Sequence, residues 1–392
     1  MSKILIYDDD EKWANDLKEK LKSLPILAKD FEIIALNQQV FTDSINTLEE
    51  RRREVRDKGQ WSGQSILLDE ANILIIDYDL FDTNAFLTGE DIAYSARCFS
   101  TCGLIVALNQ YYEVDFDLTL KGHPESFADL NIRGEQLSNP NLWGGDGEEF
   151  RPWYWPLLPK YQQDYELRIA DVRQNLKQPI CEVLGFDKDL FERLPRSINQ
   201  FIGSSDDSKP STTTFEDFVK KSGNGMRPKD SEKADEMILS RVGAARISKW
   251  LERSVFPELN ILVDAPHLVS RYPSLLIGSK EEIESWNKTT ILTDYTNLGL
   301  DIGKIENFRF QKNFWLSRPA WFWDKIRDCQ DILEVREPWE TFKPDWVFCE
   351  DISKFYRGDY QEFVAKVESP FARRFVKGIN GIQYQPRVRF SL

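Results

Sequence analysis

The segment Ile73-Leu74-Ile75-Ile76 runs four β-compatible apolar residues without alternation straight into Asp77. A strand with one wet face alternates, so an unbroken run reads as a strand covered on both faces, the condition of a parallel sheet clad in helices. Asp77 then stands at the carboxyl end of that strand, the edge where open α/β sheets gather ligands and chemistry. The chain opens the same way, with Ile4-Leu5-Ile6-Tyr7 leading directly into Asp8, Asp9 and Asp10. Two neighbouring parallel strands would deliver three or four carboxylates to one small volume. There, mutual repulsion forces one of them to protonate unless a cation neutralises the group. A hard, oxygen-seeking ion such as Mg²⁺ suits that donor set.

Taken in order, the first 135 residues alternate strands with helices. Trp13, Leu17, Leu21 and Leu24 recur at helical spacing after Asp10, which is placed to cap them. A second short strand is expected at Phe31–Leu36 and a polar helix at Thr42–Lys58. Within that helix, Arg51-Arg52-Arg53 reads as a solvated face, the usual fate of a charge run. A helix over Gly89–Phe99 and a fully apolar strand at Leu104–Leu108 follow, ending at Asn109. Phe116–Leu120 reads as the fifth strand, ending at Lys121, with a final helix over His123–Ile132. The pattern predicts a flavodoxin-like, doubly wound, parallel five-stranded sheet.

These residues resemble the receiver domain of two-component response regulators over about residues 2–133. The features that carry the resemblance are the acidic pair Asp8-Asp9 after the first strand, Asp77 after the third, Asp79 two residues on and Lys121 after the fifth. The resemblance implies that Asp8, Asp9 and Asp77 hold Mg²⁺, with Asp79 giving a main-chain oxygen. Asp77 accepts a phosphoryl group from a sensor histidine kinase or a small phosphodonor, and Lys121 pairs with the phosphate. Asn109 stands where the family places Thr or Ser, Leu118 where it places an aromatic switch, and Gly122 where it places proline. Only eleven residues separate Asn109 from Lys121, too few for the family's fourth helix and its connections. These departures spare the acceptor chemistry and alter the usual readout, so two other readings stay open. One is a pseudo-receiver that acts as an unphosphorylated interaction or scaffold module. The other is a receiver that regulates an effector enzyme or a nucleic-acid binder.

The remainder has a different character. Residues 136–149 have linker composition, with Asn139-Pro140-Asn141 and Gly144-Gly145-Asp146-Gly147, and residues 150–392 are expected to form a larger mixed α+β output domain acting through protein contacts. Residues 1–135 hold 14 basic against 26 acidic residues, so −12 of the net charge of −14 lies there. That balance disfavours nucleic-acid binding by the first part and leaves the second open. Met237–Arg253 could form a helix-turn-helix, with Gly243 in the turn and Arg246, Lys249 and Arg253 on a second helix. Trp250 and Leu251 argue instead for a core segment. Asp264-Ala265-Pro266-His267, with Arg271 nearby, is the best acid–base candidate of the second part. The chain has only two histidines and no nucleophile elbow, so a cap after a buried strand is the plainer role, and enzyme activity beyond receiver phosphorylation has no motif. Five cysteines without CxxC spacing suggest neither disulfides nor zinc. No stretch approaches the ~20 apolar residues that span a bilayer, and a cytoplasmic location without membrane contact is expected.

Overall fold

The computed structural model describes residues 1–78, 80, 88–108, 116–117, 126–144, 156–203, 209–259, 261–271, 305–327, 329, 346–357, 364–368, 373–382 and 384–385. The chain divides into two compact units, each considered on its own. The first comprises Met1–Tyr112, His123–Gly145 and Leu158–Trp250, and the second the remaining segments.

The core of the first unit is a five-stranded parallel sheet made of β1 (Ser2–Tyr7), β2 (Phe31–Ala35), β3 (Ile73–Asp77), β4 (Leu104–Leu108) and β5 (Leu130–Ile132), in the order β2-β1-β3-β4-β5. The unbroken apolar runs explain the arrangement, since Ile4–Ile6, Ile73–Ile76 and Ile105–Ala107 are all fully buried. Helix α1 (Glu11–Lys22) packs on β1 and β2, while α3 (Gln38–Lys58) follows the short α2 (Pro25–Asp30), and α4 (Gly89–Phe99) packs on β3 and β4. Asp10 caps α1 by accepting from the amides of Lys12 and Trp13, as its position suggested.

The fifth strand is not the expected one. Leu130–Ile132 pairs with β4, whereas Phe116–Asp117 pairs with Tyr384–Gln385 in the second unit. The helix expected over His123–Ile132 is therefore replaced, in its described part, by a turn at Ser126–Asp129 and then this strand. The turn is fixed by Asp129, whose amide donates to Ile105 O at 2.8 Å while its carboxylate accepts from the Ile105 amide at 2.8 Å and from Arg97.

One boundary of the compact units, between Gly145 and Asp146, falls within 136–149, but the chain returns to the first unit at Leu158–Trp250. Residues 134–144 are folded into the first unit through the short helix α5 (Gly134–Leu137), a 3₁₀ turn at Pro140–Leu142, and the buried Trp143, whose indole donates to Leu137 O at 2.9 Å. Beyond residue 157 come α6 (Leu158–Gln174) and α7 (Glu236–Trp250), which pack on each other, and α7 also packs on α4. Every residue from Ile238 to Trp250 is buried. Gly243 lies within continuous helix, where an added Cβ would sit 3.3 Å from Val172 Cγ1; it permits a close helix crossing and makes no turn. Arg246 and Lys249 are buried too and donate to main-chain oxygens of Ser126, Lys249 also to Ala128, so they present no DNA-reading face.

Arg51 likewise departs from a solvated face. It is 4% exposed and its guanidinium grips both oxygens of Asp69. Arg52 meets Asp230, and only Arg53 of the three is exposed. No disulfide forms, and four of the five cysteines are buried.

In the second unit, β6 (Leu262–Asp264) pairs antiparallel with β7 (Ala320–Phe322). A four-stranded sheet is built from β8 (Trp346–Cys349), β9 (Lys354–Arg357), β10 (Val364–Glu368) and β11 (Arg373–Val376), ordered β9-β8-β11-β10. Among the described residues no helix is long and apolar enough to cross a membrane.

Candidate functional site

β1 and β3 are neighbours in register, Tyr7 opposite Ile76, so the residues that follow them, Asp8 and Asp77, emerge side by side at the carboxyl edge of the sheet. One carboxylate oxygen each from Asp8, Asp9 and Asp77 lies within 4.8 Å of the others. Asp8 and Asp77 are both 2% exposed. Asp8 Oδ1 accepts from the Asp10 amide at 2.9 Å, and its Oδ2 is buried without a partner. Burial, reinforced by Asp9 and Asp10 and opposed by the Asp10 amide, pushes the Asp8 carboxyl up to about 6. Tyr7, stacked on Phe41 with ring centroids 3.3 Å apart, has its phenol pushed up to about 12 by burial and then by Asp9, Asp8 and Glu11. The site is thus a largely buried cluster of carboxylates, one of which carries an oxygen without a hydrogen-bond partner. Three convergent oxygen donors with one unsatisfied buried oxygen fit a hard divalent cation, which would relieve the repulsion that raises Asp8.

The loop after Asp77 starts and ends at the same place. Tyr78 donates its amide to Leu108 O at 2.9 Å, and the Gly89 amide donates to Tyr78 O at 3.0 Å, so α4 begins against the residue that follows Asp77. Gly89 is the residue that allows this approach. A Cβ there would collide with the Asp77 carbonyl oxygen and lie 2.6 Å from Tyr78 Cα. Gly89→Ala is therefore expected to destabilise the protein by about 1–3 kcal/mol through overpacking, read as a lowered urea midpoint with an unchanged slope.

Of the residues expected at the site, Asp8, Asp9 and Asp77 are brought together. Asp79, Asn109 and Lys121 lie outside the described residues, as do Leu118 and Gly122. The re-placed fifth strand nevertheless changes one expectation, because the basic residue that follows it is Arg133 and not Lys121. Leu108 pairs with Asp77 on one side and Ile132 on the other, which sets Arg133 one step beyond that row. Gly134 sits against the Trp13 indole in the first turns of α1, where a Cβ would be 2.5 Å from the ring. The alternation of Leu130-Asn131-Ile132 before a basic residue was the signal for this; the longer run at Phe116–Leu120 obscured it.

The acid–base candidate of the second unit is also assembled. His267 Nδ1 lies 2.5 Å from Asp264 Oδ1, and its Nε2 lies 3.1 Å from Glu350 Oε1. Arg318 Nε donates to Asp264 Oδ2 at 2.9 Å. Opposite ring nitrogens facing two carboxylates cannot converge on one ion, and Asp264 and Glu350 are fully buried, so the group is a charge network of the interior. Arg271 closes the helix Ala265–Arg271 that carries His267.

Comparison of the chain with protein-family models, curated proteins and solved structures finds no match.

Proposed function

We propose that the first unit is a receiver-like phosphoacceptor, with Asp77 the acceptor and Asp8, Asp9 and Asp77 the ligands of a Mg²⁺ ion. The observation that supports this reading is the convergence of those three carboxylates at the carboxyl edge of a β2-β1-β3-β4-β5 parallel sheet. The ion supplies neutralisation of charge at the acceptor and on the incoming phosphoryl group. An oxygen of Asp77 attacks phosphorus in line, the bond to the donor's nitrogen or oxygen breaks, and the leaving group takes the electron pair. An acyl phosphate on Asp77 results. The donor is the phosphohistidine of a cytoplasmic sensor kinase or a small acyl phosphate. Lys121 remains the phosphate-pairing residue that the family resemblance implies, and Arg133 joins it as the basic residue after the fifth strand. The second unit is the output, acting through contacts with a protein partner.

A second reading, an unphosphorylated pseudo-receiver that serves as an interaction module, is favoured by the burial of Asp77. Mass spectrometry after incubation with Mg²⁺ and acetyl phosphate or a phosphoramidate separates the two. Labelling at Asp77, abolished in Asp77→Asn and by chelation and weakened in Asp8→Asn, is the expected result. Mg²⁺ binding with no phosphoaspartate selects the pseudo-receiver, and loss of both sinks the phosphoacceptor reading. Set side by side, Lys121→Ala and Arg133→Ala identify which cation stabilises the labelled state.

A further inference from the structure

Arg241, halfway along α7, is a buried cation whose side-on edge meets no acceptor. It is 7% exposed, and its guanidinium carbon lies 4.8 Å from the centroid of the Trp61 ring. Both Nε and Nη2 are buried without a hydrogen-bond partner. Those two nitrogens share one side of the guanidinium plane, the side that meets two oxygens of a carboxylate or phosphate in parallel.

Neighbouring arginines are treated differently. Arg51 is held by both oxygens of Asp69 and by the carbonyls of Phe99 and Gln64. Arg97 is paired with Asp129 and donates to Gly103 O and the Tyr165 hydroxyl. Arg246 donates from Nε to Asn224 O and from Nη1 to Ser126 O. Among the described residues, Arg241 alone has both nitrogens of this edge buried and unpartnered. A guanidinium withdrawn from water without acceptors is an unfavourable arrangement, and an anion brought to that edge removes the penalty. Burial accordingly holds its pKa below the usual arginine range, opposed through space by Tyr165, Cys102 and Asp235.

Trp61 provides the cover. It belongs to the segment between α3 and the 3₁₀ turn at Leu67–Glu70, in which residues 62–65 are exposed. Gly59 and Gly63 both take positive φ, at 86° and 136°. Arg51, its own charge paired with Asp69, stands over the same ring at 5.4 Å and holds Trp61 in place. We propose that Arg241 anchors an oxyanion-binding site roofed by Trp61, taking the carboxylate or phosphate group of a small molecule through a two-point contact on Nε and Nη2. The site is separate from the carboxylate cluster at the sheet edge and is opposite to it in charge.

The test is thermal unfolding of the full chain in sodium phosphate, in sodium acetate and in sodium chloride at matched ionic strength, for the wild type and Arg241→Met. Phosphate or acetate should raise the wild-type midpoint by several degrees over chloride, and whichever of the two does so identifies the ligand chemistry. Arg241→Met, which keeps the length of the stem without the charge, should erase the shift. Equal wild-type midpoints in all three salts, or an anion shift that survives in Arg241→Met, would overturn the proposal. Should the methionine variant not fold, Arg241→Lys decides, because an ammonium keeps the charge and loses the two-nitrogen edge. Its half-saturating anion concentration should rise tenfold or more, and an unchanged value overturns the site.

Discussion

Asp230→Ala is expected to destabilise the protein by about 3 kcal/mol or more, the range found when one member of a buried ion pair is removed. The Asp230 side chain is fully buried and accepts from Arg52 Nε, from Arg56 Nε at 2.5 Å and from the Tyr94 hydroxyl at 2.6 Å. Burial alone would raise this carboxyl, but the hydrogen bonds from Tyr94, Arg52 and Arg56 outweigh it and hold it below the ordinary value. Because the folded value is the lower one, the stabilisation is present above the unfolded value of 3.8 and is lost as pH falls through the folded one. Alanine strands Arg52, whose side chain is 16% exposed, more severely than Arg56 at 38%, which can hydrate; this places the estimate near the lower end. Asp230→Asn keeps the shape and one acceptor and should fall between wild type and alanine. Urea unfolding at neutral pH measures both variants. A loss under about 1 kcal/mol for alanine would mean that the arginines find water as readily as the carboxylate.

The second large effect is a loss of stability in the second unit as pH rises. Burial works against a charge on His267, but Asp264 and then Glu350 outweigh it and raise its pKa above 6.5. The charged and titratable groups gathered there are Asp264, Glu350, Arg318 and Glu252, the last two joined at 3.5 Å. A histidine whose folded pKa is raised contributes fully below its unfolded value and loses that contribution as pH rises through the folded one. Protection of the β6 and β8 amides against hydrogen exchange, corrected for the intrinsic rate, should therefore fall on the alkaline side of 6.5. His267→Gln should remove the pH dependence and lower protection at every pH below it. A flat profile in the wild type would show that the imidazole stays neutral and that the two carboxylates are balanced by Arg318 alone.

Much of the sheet could be read directly from residues. β1, β3 and β4 are unbroken apolar runs, and runs this short have few alternatives to a strand covered on both faces. The acidic cluster followed from where those runs stop, since a parallel neighbour in register places strand-end residues together. The fifth strand was misread because Leu130–Ile132 is three residues long, while Phe116–Leu120 has the stronger local pattern and its described residues, Phe116 and Asp117, pair with a segment more than 260 residues away. The arginines were misread for a related reason. Arg51 and Arg52 look solvated in sequence, and they turn inward to acceptors that lie 18 and 178 residues from them along the chain. Long-range pairing of this kind leaves no periodicity to detect. Nor does Gly243 distinguish itself locally, since a glycine at a helix crossing and a glycine in a turn look alike until Val172 is in place.

The packing of α4 under α7 bears on how the protein is made. Nine of the eleven residues of α4 are buried, and Arg97, Tyr94 and Asp91 take partners as distant as Tyr165, Arg227 and Asp230. During translation, β5 leaves the ribosome well before α7, and at common elongation rates the interval is on the order of ten seconds. Through that interval the nascent sheet carries an uncovered helix face and an arginine awaiting its phenol. The protein is thus a poor candidate for folding strand by strand as it emerges. Its first unit, which runs to Trp250, can close only when residue 250 has cleared the exit tunnel.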